Sequence, residues 1–213
     1  MKKQTIILSL LAAFGLGALY VNADDKKATA KPDTKKETVK ESDPVDPKDK
    51  VVKTEEEWKK ILTPEQFRVA RMAGTERAFS KSYDIFKHQP EGSYYCICCD
   101  AELFTSNEKF DSGCGWPSFY DESKAKNIGE KVDISAGMKR VEVICKKCDA
   151  HLGHVFFNEG FDNPTNKRYC INAVSMKFLD ANAAAAKRKA DAKKAKGEGK
   201  DEKKSDPAET EKK

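Results

Sequence analysis

The sequence predicts a mainly β domain, a small antiparallel barrel or sandwich of two sheets, entered through short N-terminal helices. Three observations carry this. Beyond Gly74, short alternating runs such as Val141-Glu142-Val143 and Val174-Ser175-Met176-Lys177-Phe178 recur between turn residues, the period-2 pattern of half-buried strands. No long amphipathic helix separates them, so parallel crossover units are disfavoured. Apolar and aromatic residues concentrate between Trp58 and Phe178, roughly 125 residues, which suits a single core.

In chain order, Thr54–Leu62 (TEEEWKKIL) reads as a short helix with acidic residues at its start, where the helix dipole favours them. Thr63-Pro64-Glu65-Gln66 opens a second, with Thr as N-cap, Pro in the first turn and Gln three residues on, and Gly74 is a natural stop. Trp58 is expected as a core anchor. The expected strands are Ser93–Cys96, Val132–Ser135, Arg140–Ile144, His154–Phe157 and Ala173–Phe178. Ala181–Lys196 has high helix propensity without an apolar face, so it is expected to be at most a frayed extension.

The flanks differ in texture. Lys2 and Lys3 precede an apolar run from Ile6 to Val21, and Val21-Asn22-Ala23 offers small-residue cleavage. This predicts a secretory signal over residues 1–23, with an uncleaved membrane anchor as the alternative, because a full span needs ~20 apolar residues. Residues 24–53 hold nine Lys against eight Asp/Glu and read as a disordered charged linker. Residues 181–213 read as a disordered Lys/Ala-rich tail, since neither flank can bury enough apolar surface to offset its ordering entropy. The domain proper is then 54–180. The net charge of +5 is mixed-sign and solubilising rather than a nucleic-acid footprint. The expected location is the bacterial periplasm or the outer face of the inner membrane, an oxidising compartment in which each cysteine needs an explanation.

Seven cysteines are present. Cys96/Cys99 and Cys145/Cys148 form two Cys-x-x-Cys pairs, a spacing that suits tetrahedral Zn²⁺ in a closed, structural site. Two disulfides are the competing reading, permitted by export. Cys98 is left as a small buried filler or spare thiol. Cys114 lies between glycines, and Cys170 follows Arg168, whose charge lowers a nearby thiol's pKa. That spacing alone is a weak hint of catalysis.

The ordered set of motifs is more specific. Leu62-Thr63-Pro64-Glu65-Gln66, Gly74-Thr75-Glu76, the run Lys109–Phe119 containing Ser112-Gly113-Cys114-Gly115-Trp116-Pro117-Ser118, Gly137-Met138, Ala150-His151-Leu152-Gly153-His154-Val155-Phe156 and Arg168-Tyr169-Cys170-Ile171-Asn172 stand in sequence. Together, from about Thr54 to Phe178, they resemble the B-type methionine sulfoxide reductases, which reduce the R epimer.

The resemblance implies Cys170 as nucleophile toward the sulfoxide sulfur and Cys114 as the resolving thiol, with a thioredoxin-like donor reducing the resulting disulfide. A sulfoxide oxygen leaves only when protonated, which makes His154 and His151 the candidate acids. Trp116 would wall in the substrate methyl group, and Arg168 and Asn172 would orient the oxygen. Oxidised proteins or peptides are the implied substrates, and a monomer is expected. The chain departs from the family where many members carry Asp: Asn158 stands there, followed by Glu159. A histidine's acidic partner is therefore either lost or supplied by Glu159, and the loop Phe157–Lys167 is unusual. Two other classes compete: a zinc-ribbon interaction module with a basic tail, and a thiol-disulfide oxidoreductase using a Cys-x-x-Cys as its centre. The first leaves Cys114 and Cys170 unexplained, and the second requires a knuckle free of metal.

Overall fold

The computed structural model describes residues 46–121 and 127–201. The predicted signal, most of the predicted linker and the last twelve residues lie outside the described residues. Among the described residues no helix is long and apolar enough to cross a membrane.

Three short helices come first: α1 (Glu55–Ile61), α2 (Pro64–Ala70) and α3 (Lys81–Lys87). Thr54 with Glu57 and Thr63 with Gln66 form reciprocal capping boxes, so donors that a seven-residue helix would leave unpaired are satisfied. Trp58, Phe67, Val69 and Ala70 are buried, as expected of packing helices. Helix α3 was not expected; its signals are Ser80, whose side chain caps Tyr83 N–H, and the buried pair Tyr83 and Phe86.

Among the described residues, nine strands follow in two antiparallel sheets. The smaller sheet has the order β2-β1-β9, built from β1 (Gly92–Cys96), β2 (Glu102–Thr105) and β9 (Met176–Asp180). The larger contains β3 (Lys109–Phe110), β4 (Ser118–Phe119), β5 (Ile128–Asp133), β6 (Arg140–Cys145), β7 (His151–Phe157) and β8 (Lys167–Ile171), ordered β3-β4-β8-β7-β6-β5. The two sheets meet through aromatic rings. Phe104 on β2 stacks on Phe119 of β4 at 4.2 Å and 7°, and Tyr94 and Tyr169 surround that pair. Such pairs contribute about 0.5–1.5 kcal/mol beyond their buried area. The mainly β, two-sheet architecture is the predicted one.

Several bounds differ. The run Ala173–Phe178 begins with a 3-10 turn, Ala173–Ser175, and only then becomes β9. Cys170, expected just before a strand, lies within β8. The segment expected as a disordered tail is instead helical over Ala181–Asp201 (α4). It lacks an apolar face, yet its first turns are anchored: Ala184 is buried, and Arg188 reaches Glu102 and Ser93. The linker likewise ends earlier than expected, since Val51 N–H donates to Lys147 C=O at 2.7 Å and Lys50 pairs with Asp149.

Strand alternation puts a single set of side chains on one face of the larger sheet. Ser118 pairs with Cys170 and Cys170 with His154, while Arg168 pairs with Phe156 and Glu142 with His154. Directly paired residues share a face, as do residues two apart. His151 lies three residues from His154 and should point the other way. A β-bulge in β7, where Val143 and Ile144 of β6 face Gly153 and His151, inserts the extra residue that turns it back. Gly153 lies in this stretch. A Cβ there would lie 2.0 Å from the Cys170 carbonyl oxygen and 3.0 Å from Ile171 Cα, both backbone atoms. Gly153→Ala is therefore expected to part β7 from β8 at a cost above about 2 kcal/mol, read as a lower urea midpoint; an unchanged midpoint would contradict this packing.

Candidate active site

On that face the two sulfurs outside the knuckles meet. Cys114 Sγ and Cys170 Sγ are 4.0 Å apart. Cys114 rides on the loop between β3 and β4, where Gly113 and Gly115 have φ of +70° and +86°, a backbone that glycine adopts without strain. Ser112 Oγ donates to Cys114 Sγ at 3.0 Å, and Arg168 Nη1 approaches it at 3.5 Å. The Cys114 thiol is held down to about 4, first by the hydrogen bond from Cys170 and then, against the cost of burial, by Ser112. The same hydrogen bond, with burial, pushes Cys170 up. The two directions are opposed: the contact favours charge on Cys114 and a proton on Cys170. As expected, Arg168 acts on Cys170, opposing its rise through charge and a hydrogen bond, and its guanidinium also contacts Cys114.

Cys170, not Cys114, lines a cavity of about 180 Å³ shared with Trp116, His154, Asn172, Thr75, Arg140 and Phe156. Four of the predicted residues therefore converge on one pocket, large enough for one side chain. Trp116 donates its indole N–H to Glu76 C=O at 3.1 Å, which leaves the ring as a wall. Asn172 accepts from Glu76 N–H at 2.9 Å and donates to Leu152 C=O at 3.0 Å, so its second amide N–H is the donor that remains for a ligand. A larger cavity beside α3, between Lys87 and Asp111, contains none of the predicted residues.

The acidic partners of the histidines lie on β5 and β6. His154 Nε2 is 2.8 Å from Asp133 Oδ2, and His151 Nδ1 is 2.7 Å from Glu142 Oε1. Hydrogen bonds led by those of Ser135 hold Asp133 well below the usual carboxylate range, and Glu142 is lowered chiefly by His151. Burial pushes the His154 imidazole below its ordinary value, which Asp133 only partly offsets. His151 is buried and does not line the pocket. Glu159 does not replace a histidine partner. It grips Arg168 in a two-pronged pair at 2.7 and 2.9 Å, and Arg168 lies over the Phe156 ring. Asn158 turns the chain at φ +56°. Motif reading missed Asp133, Glu142 and Arg140, since only the strand register brings them to the site.

The knuckle cysteines form a separate cluster. Cys96 ends β1 and Cys145 ends β6, Cys99 and Cys148 lie in the turns that follow, and all four sulfurs lie within 4.8 Å of one another. The closest pairs, Cys96 with Cys148 and Cys99 with Cys145, are 3.6 Å apart. A tetrahedral zinc with ~2.3 Å bonds needs sulfurs roughly 3.8 Å apart, so the four residues fit a metal, and the sulfur distances exclude two disulfides in this arrangement. Both turns have the same build: Asp100 and Asp149 take φ of +62° and +57°, and their N–H groups donate to Cys96 and Cys145 C=O. Cys98 is buried in the core outside the four.

Comparison with known proteins agrees with this geometry. The SelR domain family matches residues 62–180. A Pseudomonas syringae pv. syringae protein named peptide methionine sulfoxide reductase MsrB is 57% identical over 131 residues, covering 62% of this chain and 97% of its own. Proteins of the same name from Chromohalobacter salexigens and Methanosarcina barkeri are each 52% identical, over 61% and 60% of this chain and 96% and 87% of their own. The chain belongs to the SelR-domain family, the B-type methionine sulfoxide reductases, and is an oxidoreductase.

Proposed function

We propose that this protein is an exported peptide-methionine (R)-S-oxide reductase that repairs oxidised proteins, with Cys170 as nucleophile and Cys114 as resolving thiol. The observation that carries the reading is a sulfur on the wall of a one-side-chain pocket, with a second sulfur 4.0 Å behind it. Position supports these roles, since Cys170 lines the pocket and Cys114 does not.

The steps balance as follows. The Cys170 proton passes to Cys114 across their shared hydrogen bond, leaving a thiolate against the pocket. This thiolate attacks the sulfoxide sulfur while His154 protonates the oxygen. The oxygen is transferred to Cys170 as sulfenic acid and methionine departs with its thioether restored. Cys114 then displaces water from the sulfenic acid, forming the disulfide. A thioredoxin-like dithiol reduces it by exchange, through Cys114, which is partly exposed. Trp116 packs on the substrate methyl group, and the free N–H of Asn172 faces the oxygen. Arg168, fixed by Glu159, stabilises the charge on the sulfur pair. His151 orders Glu142 beside His154.

Cys96, Cys99, Cys145 and Cys148 would hold a zinc ion whose contribution is structural, because four thiolates leave no open position. The N-terminal apolar run supports export to the periplasm or retention on the outer face of the inner membrane.

Cys170→Ser is expected to abolish reduction of methionine-R-sulfoxide with zinc content unchanged, whereas Cys114→Ser should release one equivalent of methionine and then stall with a thioredoxin-type donor. Single-turnover methionine from the first variant, or steady turnover by the second, refutes the assigned roles. The pH dependence has a defined sign. The sulfur pair is already ionised above about pH 5, so alkylation of the pair should be flat between about pH 6 and 8, unlike a free thiol. Single-turnover reduction should fall over the same range as His154 loses its proton; a rate rising with pH contradicts the acid role. Chelation should remove one zinc per chain and lower the thermal midpoint steeply, since structural zinc contributes about 10 kcal/mol or more in small sites. A metal-free protein with an unchanged midpoint excludes that contribution.

A further inference from the structure

Glu76 has no place in the chemistry above, yet it is a carboxylate only 2% exposed, and acidic side chains are almost never fully buried unless paired. Its Oε1 accepts from Ala173 N–H, just past Asn172, and Ser80 Oγ donates to its Oε2 at 3.4 Å. Its own peptide groups serve the pocket directly. The N–H donates to Asn172 Oδ1 at 2.9 Å, and the C=O accepts the Trp116 indole N–H at 3.1 Å. Thr75, the preceding residue, lines the same cavity.

We infer that Glu76 is a positioning residue for sulfoxide reduction: its buried carboxylate clamps the chain after α2 to the turn after β8, and the clamped peptide unit sets both Trp116 and Asn172. Two walls of the pocket, from loops 56 residues apart in sequence, are thereby fixed relative to each other by one residue. The inference rests on the reductase reading, since it assigns Glu76 to the alignment of the groups that hold substrate. Loss of the carboxylate leaves the Ala173 N–H without its partner and lets the Gly74–Glu76 segment shift. Trp116 and Asn172 then lose their common reference, and small misplacements of binding groups have large kinetic effects. Cys114, Cys170 and the knuckle cysteines make no contact with Glu76 in the hydrogen-bond network described, so their reactivity is expected to persist.

The test uses the full chain with N-acetyl-methionine-R-sulfoxide. Glu76→Ala is expected to raise KM about tenfold, with a smaller change in kcat and with zinc content and alkylation of the sulfur pair unchanged. Glu76→Gln, which keeps an acceptor for Ala173 N–H, should recover most of the loss. In a Trp116→Phe background, which has already lost the indole donor, the effect of Glu76→Ala should shrink, because coupled residues are not additive. A wild-type KM in Glu76→Ala, or a defect that multiplies that of Trp116→Phe in full, overturns the proposal. Should Glu76→Ala fail to fold, Glu76→Asp, whose carboxylate is withdrawn from Ala173 N–H by one methylene, decides: a KM raised a few-fold supports the role and a wild-type KM overturns it. No turnover by the wild-type chain overturns the reductase reading and the Glu76 role with it, whereas turnover with a KM indifferent to Glu76 overturns the Glu76 role alone.

Discussion

The backbone contact between β7 and β8 is the constraint on which the site depends. Gly153 lies so close to the Cys170 carbonyl that no side chain fits between them, and that closeness fixes which residues lie opposite one another. His154 is thereby set beside Cys170, and Cys170 beside Ser118. The extra residue in β7 then brings His151 onto the same side. A one-residue slip in this pairing would send every one of these side chains into the aromatic core. The chemistry is thus written in strand register more than in any loop.

The knuckle cysteines act on the same geometry from a distance. Cys96 ends a strand of the smaller sheet and Cys145 a strand of the larger, so a metal held by the four thiolates would tie the two sheets at one edge. Phe104 on Phe119 joins them near the middle, and Ser118, neighbour of Phe119, pairs with Cys170. Helix α4 is fastened to the smaller sheet through Arg188 and Glu102. A small domain with a modest core gains from such cross-links, and the aromatic one lies beside the strand that carries Cys170.

How much was legible in the sequence follows from the range of each interaction. Caps at Thr54 and Thr63 and the alternation in β6 are local, and they appear where periodicity places them. The metal-binding set was readable because spacing alone limits a Cys-x-x-Cys turn. Cys114, Cys170, Trp116 and His154 were recognisable through an ordered set of motifs, although their meeting in space was not visible in any one of them. What escaped depends on pairings between distant strands. Asp133 and Glu142 meet the histidines only through the register of β5, β6 and β7. Glu159 was weighed as a histidine partner and is found on Arg168, because the β7–β8 turn points it back along β8. The two-residue strands β3 and β4 are too short for any period to register. Helix α4 was underestimated because its anchorage comes from Ala184 and Arg188, single residues that an averaged apolar face does not detect.

In the proposed mechanism the sulfurs of Cys114 and Cys170, 4.0 Å apart, act as one chemical unit, with Arg168 offsetting their charge and Cys170 lining the pocket. The most direct measurement is peptide mapping by mass spectrometry after the reduced protein meets an equivalent of sulfoxide without any external reductant. The account predicts a Cys114–Cys170 disulfide formed in step with methionine release from the R epimer, with neither product from the S epimer. Methionine released while Cys170 remains a free thiol, or a bridge that joins Cys114 to a different cysteine, would contradict it.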